Sequence, residues 1–232
     1  LPWFTRYAFR AASRFGPGDV AGRAWSALAL ASVLLLLGQF AAYLPAALDL
    51  GPVEAAAVVS GQLLPAAFRV VLCWALWRVR RAYRETGLHF HLKPVDHAAS
   101  IAVAVVAVVL ISRREVLFAY WTAGSSVGDV ARAVMTTAQV FNFLLYAAVF
   151  ASSLAMARYA AQMGGGLVAR AWWGVALYGL LQPTHAFVIS ILWPAYGPIA
   201  AVAFDNFIVL AAFSALAFGP IYQVEAAEVS RG

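Results

Sequence analysis

Six runs of apolar residues, at approximately 25–48, 54–77, 98–122, 130–157, 167–193 and 198–222, occupy most of this 232-residue chain. Each reaches or exceeds the roughly 20 residues that a helix rising 1.5 Å per residue needs to cross ~30 Å of hydrocarbon. A bilayer core offers no water to backbone N–H and C=O groups, so isolated spans must be helical. The chain is therefore read as an all-α, polytopic integral membrane bundle of six transmembrane helices. Only 11% of its residues are charged and 64% are hydrophobic, against about 25% charged in a soluble domain. That shortfall excludes a water-soluble enzyme. The single cysteine, Cys73, excludes an internal disulfide framework and a cysteine-based zinc site, which need at least a pair.

Charge placement sets the orientation, because basic residues collect on the cytoplasmic side of short loops. Arg6, Arg10, Arg14 and Arg23 precede the first run; Arg78, Arg80, Arg81, Arg84 and Lys93 separate the second from the third. Arg158 and Arg170 flank the fourth connection, and Arg231 is in the tail. These account for twelve of the 16 basic residues, and they place both termini in the cytoplasm. Short outer links at 49–52, 123–126 and 194–197 force consecutive spans into three antiparallel hairpins. A bacterial cytoplasmic membrane is the expected location, with residues 25–222 as the membrane domain and 223–232 as a cytoplasmic tail.

Residues 1–24 do not form a signal peptide, because Arg6, Arg10 and Arg14 interrupt what would be its apolar region. Trp3, Phe4, Tyr7, Phe9 and Phe15 interleave with those arginines, the composition of an amphipathic helix lying in the headgroup layer. An interfacial anchor is expected there in preference to a docking arm. The expected partners are the lipid bilayer with its anionic headgroups, and partner membrane subunits or further copies of the chain; nucleic acid is not one.

Polar residues inside the apolar runs require a reason, since an ionisable group at mid-membrane costs about 2.5–3.5 kcal/mol on insertion scales. Those singled out are Gln39, Gln62, Arg113, Arg114, Gln139, Asn142, Gln182, His185, Asp205 and Asn206. Counted from the outer turns, every run carries a polar group at a similar depth, in the outer half and approaching the midplane. A shared polar layer that binds a ligand is the functional reading; amides acting as interhelical glue, each contributing about 0.6 kcal/mol, is the structural one. His185 and Asp205 share a hairpin at matched depth, so an imidazole–carboxylate contact is expected. Arg113, Arg114 and Glu115 either lie submerged or mark a segment that bends back along the interface.

The pentapeptides Gly61-Gln62-Leu63-Leu64-Pro65 and Gly179-Leu180-Leu181-Gln182-Pro183 each combine a glycine with a proline four residues on. Proline leaves the carbonyl four residues earlier without its helical partner, so Gly61 and Gly179 are expected to present bare carbonyls at two breaks or hinges. Matched interruptions in two inverted halves point to a midplane site in secondary transporters. Arg69 lies deeper in the second run with no carboxylate at its own depth. It is expected to snorkel, to reach Asp205, or to act as counter-ion to an anionic ligand.

Metal and cofactor signals are weak. His89, His91, Asp96 and His97 supply metal-competent side chains. Their spacing departs from the His-x-His-x-Asp-His signature of metallo-β-lactamase-like hydrolases, which they superficially resemble, and an interfacial loop is the expected role. Gly124-Ser125-Ser126-Val127-Gly128 fits the nucleophile-elbow pattern but joins two membrane helices instead of a strand and a helix. The only lysine, Lys93, is in a loop, which excludes a retinal Schiff base. No cofactor is identified, although a haem or chlorin with His185 as its one protein ligand is compatible with the sequence. Three functions follow: binding or translocation of a small solute or ion, an accessory or cofactor-holding subunit of a membrane complex, and the membrane input module of a sensor.

Overall fold

A computed structural model of the chain describes residues 2–15, 19–48, 53–85, 92–122, 128–162 and 166–229, less the side chains of 39, 41–48, 53–58, 83 and 121. Those residues form helices joined by short links: α1 (Pro2–Arg14), α2 (Val20–Leu48), α3 (Val53–Glu85), α4 (Pro94–Ser112), α5 (Arg114–Trp121), α6 (Asp129–Gln162) and α7 (Gly166–Val229). Five of them are long and apolar enough to cross a membrane. The protein is thus an all-α bundle of membrane character.

The longest helix, α7, has 64 residues, roughly 96 Å if straight. It is not straight. Gly197 adopts φ 75° and ψ −171°, a combination essentially restricted to glycine because any Cβ clashes with the backbone there. The chain reverses at this point. Its two arms, 166–196 and 198–229, then run antiparallel: Gly174 lies against Ala215 and Phe218, and Gly219 against Val175. Helical geometry persists through Pro194 to Tyr196, so the expected four-residue turn contracts to one glycine.

Close approaches at other glycines build the rest of the bundle. A Cβ on Gly38 would fall 2.8 Å from Cδ of Pro65, which places α2 hard against α3. A Cβ on Gly179 would fall 2.7 Å from the backbone nitrogen of Phe150, which does the same for α6 and α7. At the basic end, Arg158 donates through Nε and Nη2 to both carboxylate oxygens of Asp96, at 2.9–3.1 Å, tying the end of α6 to the start of α4. Arg10 and Arg14 both donate to Glu228 there, at 2.9 and 2.8 Å.

Helix α1 is amphipathic, but the aromatic face does not simply turn away from the protein. Phe4, Ala8 and Ala11 are buried, with Phe4 edge-on to Phe68 of α3 at 5.8 Å between ring centroids. Trp3 and Phe9 remain exposed. The hydroxyl of Ser32 donates to Thr5 at 2.9 Å, so α1 is docked on α2 and the end of α7, with Phe4 reaching α3.

The third apolar run, expected as one helix over 98–122, is divided. Arg113 sits at φ −97° and ψ 7°, outside the helical well, and separates α4 from α5. Glu115 accepts from Arg132 of α6 at 2.8 Å and lies 3.7 Å from Arg114. This cluster lies on the outside of the bundle, where its charges pair with one another, and the three consecutive charged residues coincide with the break between α4 and α5.

Helices α3 and α7 continue through Pro65 and Pro183, and since proline has no N–H the carbonyls of Gly61 and Gly179 still lack their helical donors. Membrane helices tolerate proline when neighbouring groups re-satisfy the freed backbone.

Candidate functional site

One face of each of three helices converges on a cavity of about 550 Å³, within the range of roughly 300–1,000 Å³ typical of small-molecule sites. From α3 come Gly61, Gln62, Pro65 and Arg69; from α6, Gln139, Asn142, Phe143 and Tyr146. The arms of α7 supply Gln182, His185 and Trp193 on one side of the Gly197 reversal, and Asp205, Asn206 and Phe213 on the other. Tyr120 enters from α5. The spacings 62–65–69 and 139–142–146 are those of a single helix face, which is why each helix delivers several groups to the same space.

Arg69 forms the deep end. Its residue is 7% exposed, and its Nη1 donates to Oδ1 of Asn142 at 2.6 Å. The guanidinium carbon lies 4.4 Å from the centroid of the Tyr146 ring, a cation–π contact strengthened by exclusion of water. The Tyr146 hydroxyl in turn donates to Oε1 of Gln182 at 3.1 Å. Nε of Arg69 has no hydrogen-bond partner, and no acidic side chain among the described residues pairs with this cation. The expected reach to Asp205 is replaced by a neutral amide and an aromatic ring.

One turn away on α6, Gln139 is 1% exposed and neither its Nε2 nor its Oε1 has a partner. A buried amide normally finds hydrogen bonds, and leaving one polar atom without them costs about 1–3 kcal/mol. Gln139 thus brings a buried donor and a buried acceptor, both without partners, to the cavity wall.

On the opposite wall Asp205 is paired. His185 Nε2 makes a direct contact with Oδ1 of Asp205, and the Tyr120 hydroxyl donates to Oδ2 at 2.9 Å. Tyr120 is held by an edge-on contact with Trp193, 5.1 Å between centroids. Asp205 thus has both oxygens engaged, whereas the cation across the cavity retains free donors. Toward the basic end the site is floored by aromatic packing: Tyr178, completely buried, lies edge-on to Tyr146 at 6.0 Å and tilted against Phe213 at 6.1 Å.

The residues chosen by depth divide into three groups. Gln62, Gln139, Asn142, Gln182, His185, Asp205 and Asn206 line the cavity, as do Gly61 and Pro65. Arg113 and Arg114 do not, and neither do Gly179 and Pro183; Gly179 is occupied with the close approach of α6. The side chain of Gln39 lies outside the described residues. So do His89 and His91 of the weak metal set. Both oxygens of Asp96 are bound by Arg158, and His97 is exposed, so the pair does not present an open ligand set. Residues 123–127 of the Gly-x-Ser-x-Gly run also fall outside the described part.

Depth counting missed Tyr120, Tyr146 and Trp193, which it treated as apolar. For Tyr146 a signal existed: it follows Asn142 by four residues and Gln139 by seven, on the same helical face. No protein-family model, curated protein or solved structure shows significant similarity to this chain.

Proposed function

We propose that the protein is a six-span membrane protein whose intramembrane cavity binds a small polar solute and passes it across the bilayer. The observation that carries this reading is the combination, in one cavity, of a buried cation without an acidic partner and a buried amide without any partner. Packing glue does not explain them, since glue residues hydrogen-bond to one another. Polar groups held unsatisfied at membrane depth are expensive, and they mark substrate pathways.

Six crossings follow from counting the two arms of α7 separately. They pair as three hairpins, α2 with α3, α4 with α6, and arm with arm. The contact of Arg10 and Arg14 with Glu228 supports termini on one side, and the basic residues collected there support the cytoplasmic side of a bacterial inner membrane. Between the Gly197 reversal and the Tyr178 floor, the site in this arrangement is nearer the opposite face.

Binding is tested on the protein in lipid nanodiscs by following its thermal unfolding with benzoate, butyrate, benzamide, glycerol and choline, each in turn. At least one solute is expected to raise the midpoint, since a ligand at a hundred times its Kd stabilises by about 2.7 kcal/mol. Gln139→Leu is expected to remove that rise while leaving the ligand-free midpoint the same or higher. Uptake of the binding solute into proteoliposomes is then expected from the parent protein and not from the variant. If none of the five solutes binds, the proposal is wrong.

A further inference from the structure

Resting on that cavity as a solute site, we infer that its ligand is a small monocarboxylate with an apolar body, and that it binds together with one proton taken up by the His185–Asp205 pair. The charge class follows from which groups are left open. Each Asp205 oxygen already has one close partner, His185 or Tyr120, whereas the buried guanidinium across the cavity has no acidic partner among the described residues, so Arg69 is the less compensated of the two charges. Arg69 donates to Asn142 and has the Tyr146 and Tyr178 hydroxyls beside it, yet its Nε stays unpartnered, and a guanidinium offers five N–H donors in a planar fork matched to a carboxylate. Gln139, one turn along α6, adds a second open donor. The rest of the lining, with Phe143, Trp193, Val209 and Phe213, suits an apolar body.

The proton follows from charge balance. The charged or titratable groups lining the cavity are Arg69 from α3, Tyr120 from α5, Tyr146 from α6, and His185 and Asp205 from the two arms of α7, with the buried Tyr178 of α7 behind them against Arg69 and Tyr146; α2 and α4 contribute none among the described residues. Counted by formal charge, Arg69 contributes one positive and Asp205 one negative charge to the lining of the cavity. A monoanion entering alone leaves a net negative charge in a water-poor space. One proton added to the histidine–aspartate pair restores neutrality. Conversely, a proton without the anion leaves a net positive charge. Each therefore favours the other, and the coupling is reciprocal. No bond is made or broken beyond the transfer of one proton from solvent to the pair.

The test is calorimetric titration of benzoate into the nanodisc-embedded protein, in two buffers of different ionisation enthalpy, across a series of pH values. Close to one proton is expected to be taken up per benzoate bound, and affinity is expected to fall as pH rises, by up to about tenfold per unit. Benzamide, of the same shape and uncharged, is expected to show no proton uptake. In Asp205→Asn the cavity carries the Arg69 charge alone. That variant is expected to bind benzoate without proton uptake and without pH dependence, and more tightly than the parent at pH 8. A merely structural Asp205 predicts loss of binding instead. Benzoate binding without proton uptake overturns this inference and leaves the solute site standing. Binding of benzamide or choline but not benzoate does the same, whereas failure of all five solutes removes the site itself.

Discussion

Arg69 of α3 and Asn142 of α6 are joined by a 2.6 Å hydrogen bond in which a buried guanidinium donates to a neutral amide oxygen. The cation is compensated by a dipole and an aromatic face instead of a charge, so this contact stabilises less than an ion pair and leaves Arg69 able to meet an anion. Replacing a buried ionic group by an apolar side chain of similar volume is often neutral or stabilising. Arg69→Met is therefore expected to unfold at the same temperature as the parent or higher, and to bind no benzoate. Asn142→Ala, which strands the cation, is expected to lose about 2–3 kcal/mol. Thermal unfolding of the two variants side by side checks the sign: destabilisation by Arg69→Met would mean that the residue is a structural tie.

Gly197 is expected to be intolerant for backbone reasons alone. Nothing lies within 4 Å of the Cβ that alanine would add, so no clash contributes. Its φ of 75° with ψ −171° costs a non-glycine residue about 1–3 kcal/mol. Gly197→Ala is expected to lower stability by that amount. It should also loosen the arms enough to weaken the His185–Asp205 contact, read as a changed histidine ring resonance in the NMR spectrum.

Gly179→Ala tests the opposite cause, sterics without strain. Its Cβ would lie 2.7 Å from the Phe150 nitrogen and 3.0 Å from the Phe150 Cα, both backbone atoms that cannot swing aside. Overpacking of this kind costs about 1–3 kcal/mol. Because Tyr146 and Gln182 join the same two helices a turn away, the variant should lose solute affinity as well as stability. An unchanged unfolding midpoint would show that α6 and α7 separate without penalty.

Asp96 and Arg158 close the basic end, the Asp96 side chain only 3% exposed and that of Arg158 31%. Without Arg158, Asp96 keeps the Lys93 backbone N–H at the start of α4. Arg158→Ala is therefore expected to cost about 1–2 kcal/mol, and the double variant Asp96→Ala/Arg158→Ala less than the sum of the two single ones. A double-mutant cycle in urea or heat measures the coupling; strict additivity would show that the pair contributes nothing.

Much of the site was legible because depth along a helix is a count. Gln62, Gln139, Gln182, His185 and Asp205 follow from counting along each run at 1.5 Å per residue, and all of them line the cavity. Azimuth is not a count. Arg113 and Arg114 have the right depth, but three charged residues in succession end α4 at Arg113 and leave them outside. Arg69 is deeper than the polar layer and still reaches the cavity, because its long side chain crosses to Asn142. The prolines at 65 and 183 mark backbone weakness, yet what they become depends on neighbours that a five-residue window does not contain.

What the sequence determined by itself is the solvent and the helices. Apolar runs of membrane length with so few charges leave the backbone no other way to satisfy its hydrogen bonds. What only the tertiary structure decided is which polar groups find partners. The pairing of Asp205 with both His185 and Tyr120, and the absence of a partner for Gln139, depend on how each helix is rotated about its axis. Side-chain packing across neighbouring helices sets that rotation, and hydropathy along a single strand of sequence carries no record of it.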